Sequence, residues 1–268
     1  MCVMRGLVAL LCLCIPFVGA TDVRADDESD KWFTLRQQAA RLYEANAISD
    51  AEKILQHALE MTATLGNREH RLASLRELSM VYEREGKFAE ARQVLEEAVQ
   101  LQERLYGPEQ AEPALTLNYL GVAERELKHY KQAVAAHQRA LTILEEKNPA
   151  DAKLLATTHL ALAMAYDGLD LPNEPEEHYR KALKLSEDGR GLENIGLGRV
   201  FIRLGRLSVE HGNLHEAQRF IKRAEKVMTA RNESNSAERM AYFDTRAAIA
   251  FYQGKYTEAD RDWQQAAK

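Results

Sequence analysis

Cysteine is almost missing from this sequence, and its few positions are informative. All three cysteines lie within the first 14 of 268 residues, at Cys2, Cys12 and Cys14. From residue 15 onward the chain therefore holds no disulfide, no thiol nucleophile and no cysteine ligand for a metal. Glycine (14) and proline (6), the residues that most disfavour a helix interior, are also scarce. These shortages exclude disulfide scaffolds and thiol enzymes and leave a helical chain as the first expectation.

A surplus of positive charge is missing as well. The formal net charge is −5, so the molecule does not attract a polyanion by its overall charge, and it has no basic footprint of the kind that nucleic-acid-binding proteins show. Alanine, leucine, glutamate, arginine and glutamine dominate the composition, and all of them favour helices. The composition thus predicts an all-α protein and argues against nucleic acid as a partner.

The first 25 residues have the layout of a secretory signal peptide. Arg5 gives a short positive start, and residues 6–18 are almost wholly apolar. Small residues follow up to Ala20 and again at Ala25, so we expect cleavage after Ala25, with Ala20 as the alternative. A membrane span needs about 20 apolar residues, which disfavours an uncleaved anchor. The protein is therefore expected to be exported, periplasmic or secreted, with no membrane span after cleavage.

Behind the signal, the sequence repeats with a period of 42 residues after one shorter step of 40. Each unit has an alanine at the same point: Ala58, Ala98, Ala140, Ala182, Ala224 and Ala266. Nineteen residues before it stands a small residue in every unit: Ala39, Ser79, Gly121, Ala163, Gly205 and Ala247. Seven residues before it the small residue recurs, with one proline: Ala51, Ala91, Ala133, Pro175, Ala217 and Ala259. Small side chains at these points predict two helices that cross closely in each unit.

A turn is expected between the two helices of each unit. Twelve residues before the alanine stand residues suited to it: Asn46, Gly86, Lys128, Asp170, Gly212 and Gly254. Glycine and asparagine tolerate the left-handed backbone that such a turn requires. One helix pair cannot bury its apolar side alone, so neighbouring units are expected to stack.

The third unit carries the repeat pattern most completely, with Asn118-Tyr119-Leu120-Gly121 followed by Tyr130, Ala133 and Ala140. This pattern resembles the tetratricopeptide repeat (TPR). The 42-residue period is similar to the longer subtype in kinesin light chains, as is the connecting stretch Leu105-Tyr106-Gly107-Pro108-Glu109. The resemblance implies an all-α, right-handed superhelical solenoid of about six TPR-like repeats, with Pro175 tolerated in the first turn of its helix.

The resulting domain map has three parts. Residues 1–25 are the signal peptide, residues 26–31 an acidic and loose N-terminal tail, and residues 32–268 the solenoid. The repeats are expected near 32–68, 69–109, 110–150, 151–191, 192–234 and 235–268.

No motif in the sequence points to catalysis, a cofactor or a metal. His211 and His215 are four residues apart, but Gly212 between them is a turn residue, so they would not share a helix face. The glycines around Arg190 fit neither a phosphate loop nor a dinucleotide fingerprint, and no HExxH occurs. No Ser/His/Asp or paired-carboxylate arrangement rises above the scattered charges of solvated helices. We therefore predict no catalytic, cofactor-binding or metal-binding residue.

The inner face of the superhelix, lined by the first helix of each pair, is the expected binding surface. Its candidate partner-binding residues are mostly arginines: Arg36, Arg76, Asn118, Arg125, Arg199, Arg203 and Arg206. Arginine can fork onto a carboxylate, which favours an acidic or C-terminal peptide as the ligand. The alternative is that these arginines pair with acidic neighbours such as Glu77 or Glu126. The Lys/Asn clamp of some TPR domains is not reproduced, since only Asn118 occupies a clamp-like position.

Three functions compete on this basis. The leading hypothesis is a non-catalytic scaffold of the cell envelope or secretory compartment that binds a protein or peptide in the concave groove. The alternative is a self-assembling structural protein, because Trp263 lies on the last helix and is expected to be exposed, where it could dock a second protomer. An enzyme is less favoured, because the repeats leave no further segment to hold a catalytic site.

Overall fold

A computed structural model describes residues 21–107, 112–147, 149–169, 171, 174–187, 194–231 and 236–267. Within these ranges every regular element is a helix. The helices are α1 Thr21–Glu44, α2 Ile48–Leu65, α3 Arg68–Glu85, α4 Phe88–Tyr106, α5 Glu112–Glu126, α6 Tyr130–Lys147, α7 Ala152–Asp167, α8 Glu174–Glu187, α9 Asn194–Glu210, α10 Leu214–Arg231, α11 Ser236–Tyr252 and α12 Tyr256–Ala266. No described helix has the length and apolar character needed to span a bilayer.

The first helix begins earlier than the sequence predicted. Residues 26–31, expected as a loose tail, belong to α1, which already begins at Thr21. The stretch from Thr21 to Glu44 contains no glycine or proline, and acidic side chains near a helix N-terminus interact favourably with the helix dipole. The stretch expected as a loose tail is thus helical in the structure. The predicted signal residues 1–20 lie outside the described residues.

The predicted turn residues, twelve before the repeated alanine, are confirmed wherever the structure describes them. Residues Asn46, Gly86, Lys128, Gly212 and Gly254 all have positive φ, between 62° and 77°. In each case the next residue donates its backbone N–H to the carbonyl five residues earlier, as Lys87 does to Tyr82 at 2.8 Å. This is the hydrogen bond of a Schellman motif, which ends one helix and starts the next within three residues. The fourth turn residue, Asp170, lies outside the described residues.

The two sets of small residues, predicted to lie where the helices of a unit cross, are confirmed as buried. All six residues that stand nineteen before the repeated alanine are buried: Ala39, Ser79, Gly121, Ala163, Gly205 and Ala247. All six that stand seven before it are buried as well: Ala51, Ala91, Ala133, Pro175, Ala217 and Ala259. Pro175 lies in the first turn of α8, as expected, where its missing N–H leaves no helical bond unmade.

The chain divides into two compact units, which end and begin at Ser74 and Leu75. In the first unit α1 packs against α2, and Trp32 of α1 is buried. The Trp32 ring stacks on His70 with 3.8 Å between centroids, and its Nε1 donates to Ser74 Oγ at 2.9 Å. An indole whose N–H has a partner can be buried without an unsatisfied donor.

In the second unit the helices pack in chain order. We call α5, α7, α9 and α11 the A helices, and α4, α6, α8, α10 and α12 the B helices. Each B helix from α4 to α10 packs against the A helix that follows it, and neighbouring A helices contact one another. The largest apolar cluster is formed by α7 to α11 and centres on side chains such as Phe201, Leu204 and Phe220. Consecutive pairs thus share a continuous core, as the stacking of repeats requires.

Candidate partner-binding surface

Three of the predicted arginines lie along one face of α9. Arg199, Arg203 and Arg206 are spaced at i, i+4 and i+7, which places them on one stripe of the helix. Arg199 is exposed and the other two are half-buried. Together with Asp167 of α7 and Asp244 of α11, described next, we call these five residues the charged row.

Arg203 forks onto Asp167 of the preceding A helix. Its Nε lies 2.8 Å from Asp167 Oδ2 and its Nη2 lies 2.7 Å from Oδ1, a bidentate pair. The hydroxyl of buried Tyr179 donates to the same carboxylate at 2.6 Å. Burial, together with the Asp167 carboxylate, holds the pKa of Tyr179 well above its usual range, so the phenol stays a donor. Three helices are therefore joined at one carboxylate.

Arg206 binds toward the following A helix. Its Nη1 contacts Asp244, and its Nε donates to Glu210 at 3.1 Å. Asp244 also accepts from Nε1 of Trp263 at 3.2 Å. The charged row thus links α7 to α9 through Asp167 and Arg203, and α9 to α11 through Arg206 and Asp244. The Trp263 indole joins α12 to Asp244. Pairing with acidic neighbours, the alternative considered for these arginines, is what the structure shows for Arg203 and Arg206.

Arg125 and Asn118 of α5 both bind partners within the protein. Arg125 pairs with Glu126 at 2.6 Å, the neighbour that the sequence had suggested. Asn118 is buried, its amide nitrogen donates to Thr158 Oγ1 at 2.6 Å, and its carbonyl oxygen lies 3.1 Å from Nδ1 of buried His137. The structure therefore places Asn118 in the core, with its amide bonded to Thr158 and His137.

The two remaining candidates do not join this surface. Arg36 belongs to the first unit, where its guanidinium lies 4.5 Å above the Trp32 ring, a cation–π contact. Arg76 is half-buried in α3. Of the seven predicted residues, the structure brings together Arg199, Arg203 and Arg206.

The sequence did not predict several of the polar contacts that join these helices. Arg246 of α11 forks onto Asp262 of α12, with Nε to Oδ2 at 2.7 Å, and donates to the Tyr242 hydroxyl at 3.1 Å. The hydrogen bonds to Asp262 raise the pKa of Arg246 further above its ordinary range. Asp167 was not predicted either. The sequence offered only a general signal for this pair: Asp167 stands three residues before one turn residue, and Arg203 stands nine residues before the next. Charged residues are too common on helices for that spacing to identify a pair.

An open groove of about 700 Å³ lies between α10, α11 and α12. Its floor includes Ile221 and Ile249, and its walls carry Lys222, Glu225 and Arg246. Charges of both signs are mixed with apolar surface, so the lining favours no single ligand chemistry. In the part of the chain that the structure describes, no group of three His, Cys, Asp or Glu side chains is placed to hold a metal ion.

Removal of the Asp167 carboxylate should weaken the second unit measurably. In Asp167→Ala the Tyr179 hydroxyl and the Arg203 guanidinium both lose their acceptor in a poorly solvated place. Because Arg203 is partly exposed, we expect a loss of about 1–2 kcal/mol in unfolding free energy. The matched control is Asp260→Ala, since exposed Asp260 accepts only an exposed bond from Gln264. Urea unfolding of both variants gives the comparison, and equal losses would contradict this role of Asp167.

The alternating A and B helices place this protein in the class of helical-repeat proteins. A family model described as "Tetratricopeptide repeat" matches residues 70–146. The resemblance to TPR repeats is thereby confirmed for this stretch. No curated protein matches the sequence.

Solved structures show the same fold over most of the chain. BtubC (BKLC) from P. vanneervenii is 17% identical, with a TM-score of 0.64 over 81% of this chain and 94% of that one. TPR-like repeats of a putative kinesin light chain from Podosopora anserina are 19% identical, with a TM-score of 0.59 over 76% of this chain and 98% of that one. PilF from Pseudomonas aeruginosa is 15% identical, with a TM-score of 0.62 over 91% and 100%. At these identities the likeness establishes the TPR-like solenoid fold, which is typical of protein–protein interaction scaffolds.

Proposed function

We propose that this protein is a non-catalytic scaffold, exported from the cytoplasm, that binds a protein partner along the charged row of α7, α9 and α11. The observation that carries the proposal is that Asp167 and Asp244 hold two half-exposed arginines in fixed positions between neighbouring A helices. Preorganised polar groups cost little ordering entropy on binding. A TPR-like fold with such a surface is suited to protein recognition.

The chemistry of the row favours a partner segment that carries carboxylates. Arg203 directs Nε and Nη2 at Asp167, and Arg206 directs Nε and Nη1 at Glu210 and Asp244. One terminal nitrogen of each arginine is left out of these bonds, and Arg199 is exposed one turn away. An acidic segment could add to this row without displacing its internal pairs, whereas a strongly basic segment would meet like charge.

Binding at the charged row is tested by substituting its exposed residue, Arg199, because that change leaves the fold intact. The mature protein is used to capture a partner from the envelope fraction, and its Kd is then measured with the wild type and with Arg199→Glu. We expect the Kd to rise at least about tenfold for Arg199→Glu, which corresponds to 1.4 kcal/mol. The control is Lys226→Glu, the same reversal of charge at an exposed residue of α10. An unchanged Kd for Arg199→Glu, or equal losses in both variants, would overturn the assignment of the row.

A double variant separates the binding role of Arg203 from its structural role. Exchanging the pair as Asp167→Arg with Arg203→Asp retains opposite charges across the two helices while it inverts the charge order of the row. If the row binds acidic groups, the exchanged protein should fold, as judged by circular dichroism, and still lose affinity for the partner. Retained affinity in a folded exchange variant would remove Arg203 from the binding surface.

Export is tested separately on the full chain. In a host with a secretion pathway, mass spectrometry of the envelope fraction should find a mature N-terminus at Asp26 or at Thr21. Leu10→Arg interrupts the apolar run and should keep the protein in the cytoplasm at full length. A cytoplasmic wild-type protein with its first residues intact would overturn the proposed compartment.

A further inference from the structure

The three arginines of α9 stand where the neighbouring A helices carry uncharged side chains. One repeat before and one repeat after Arg199, Arg203 and Arg206, six residues occupy the equivalent points: Thr157, Ala161 and Met164 on α7, and Ala241, Thr245 and Ala248 on α11. What packing requires at one point of a repeat recurs from unit to unit. Three charges that occur at these points in α9, but not in α7 or α11, are therefore not required by the packing of the repeats, and they point to a ligand at this helix.

The arginines are spaced regularly along α9, and two of them are held in place. A helix rises 1.5 Å per residue, so Arg203 lies about 6.0 Å and Arg206 about 10.5 Å along the axis from Arg199. Both oxygens of Asp167 hold the Arg203 guanidinium, and Asp244 holds that of Arg206. Because these groups are fixed, their spacing selects the conformation of a segment that brings a carboxylate to each arginine.

On the basis of the proposed function, in which the charged row binds acidic groups, we propose that the ligand is an α-helix of the partner protein that lies antiparallel along α9. This helix carries carboxylates at positions i, i+3 and i+7. In the antiparallel order these positions lie opposite Arg206, Arg203 and Arg199 in turn, since steps of about 4.5 Å and about 6.0 Å are the same in both helices. The positive end of each helix dipole then lies beside the negative end of the other.

An extended segment fits the three arginines less well. Side chains on one face of a strand are about 6.7 Å apart, so the third would lie about 13.4 Å from the first. A strand along α9 would therefore overshoot the span from Arg199 to Arg206 by about 3 Å. A strand that crossed α9 would meet a single rung of arginine and then pass Asp167 on α7 or Asp244 on α11, where carboxylates repel an acidic segment.

The flanking A helices leave room for a second helix over α9. An α-helix with its side chains is about 10–12 Å wide, so it also contacts the helices on either side. There it meets Ala161 on α7, and Ala241 and Ala248 on α11, all of them half-buried. The distance between packed helices depends on the side chains at the contact, and alanine allows a short one. The partner helix thus directs carboxylates at the arginines and small or apolar side chains at the alanines.

Three synthetic peptides with equal net charge and uncharged termini test this on the mature protein, with fluorescence anisotropy at low salt. The first is an alanine-rich helix with glutamates at i, i+3 and i+7. The second is the same helix with glutamates at i, i+5 and i+10, which point to different sides. The third is rich in threonine and valine, with glutamates at i, i+2 and i+4 on one face of a strand. Circular dichroism confirms the helices, and the first peptide should bind at least about tenfold more tightly than the others.

Two protein variants locate the binding. Arg199→Glu should weaken binding of the first peptide at least about tenfold, whereas Lys226→Glu, an exposed charge reversal on α10, should leave it unchanged. Equal affinities for the two helical peptides, tighter binding of the strand peptide, or no binding of the first peptide would each rule out the helical ligand.

The captured partner distinguishes failure of the helical ligand from failure of the charged row. If the Kd of the captured partner rises in Arg199→Glu while the peptides show no preference, the row binds its partner and only the helical conformation is wrong. If that Kd is unchanged in Arg199→Glu, the row is not the binding surface, and the helical ligand is rejected with it.

Discussion

Gly121→Ala should lower the free energy of unfolding by about 2–3 kcal/mol, although alanine is the better helix former by about 1 kcal/mol. A Cβ at residue 121 would lie 2.5 Å from Cε1 of His137 and within 2.8 Å of both ring nitrogens. The ring cannot swing away, because His137 is fully buried and its Nδ1 is held by Asn118. Either the helix crossing widens or the Asn118 bond breaks, and both cost stability. Thermal and urea unfolding measure the loss.

The repeat supplies its own controls for this experiment. Gly205 occupies the same column, but a Cβ there would lie 3.2 Å from the flexible side chain of Ile221. Gly205→Ala should therefore change stability by less than about 1 kcal/mol in either direction. His137→Leu combined with Gly121→Ala recreates the small-plus-leucine pair of the second repeat, Ser79 with Leu95, and should recover part of the loss. Equal losses for both glycine variants, or no recovery in the double variant, would contradict this account of the crossing.

The parts of the fold that could be predicted are those set by local backbone geometry and repeated six times. A turn residue with positive φ needs glycine or a substitute at one fixed position, and a helix crossing needs a small side chain at another. Even Lys128, which is neither glycine nor asparagine, was placed correctly because the period identified its position. By contrast, the start of α1 at Thr21 lies before the first repeat column, where periodicity gives no information.

The surface was predictable only in part, because its contacts join residues far apart in the chain. Which arginines lie on one helix face follows from their spacing, as it does for Arg199, Arg203 and Arg206 on α9. Which carboxylate each one meets depends on how neighbouring repeats are offset, and Asp167 and Asp244 are 36 and 38 residues away from their partners. Asn118 shows the same limit: its position suggested a ligand, but Thr158 from the next repeat and His137 from its own repeat occupy its amide.

Acidification from pH 7 is expected to destabilise the second unit through two of its buried histidines. Burial, with a smaller contribution from Arg125, lowers the pKa of His137 to about 4. Burial, together with His178 and Lys181, lowers the pKa of His159 to about 4 as well. Both rings are neutral in the folded protein, whereas in the unfolded chain a histidine takes up a proton near pH 6.5. The unfolded state therefore binds more protons between pH 6.5 and 4, and the free energy of unfolding falls as the pH falls through this window.

The two histidines together should remove roughly 4–5 kcal/mol between pH 7 and pH 4.5, on the scale of 1.36 kcal/mol for each pKa unit. Glu83 acts in the opposite sense. Burial, and then the Glu126 charge, raise the pKa of Glu83 to about 7, so the folded state holds its proton between pH 7 and 4.5 while the unfolded state does not. Lowering the pH therefore relieves the cost at Glu83 and offsets part of the histidine loss.

This opposition provides the test. Urea unfolding at pH 7 and pH 4.5 is compared for the wild type, Glu83→Gln and His159→Gln. Glu83→Gln removes the opposing group, so its stability should fall more steeply with acid than that of the wild type. His159→Gln removes one of the rings with a lowered pKa and should make the fall shallower, although it also breaks the 3.0 Å contact between His159 and His178. Because the slope with pH, and not the stability at one pH, reports proton uptake, identical slopes in the three proteins would show that these buried groups do not govern the acid response.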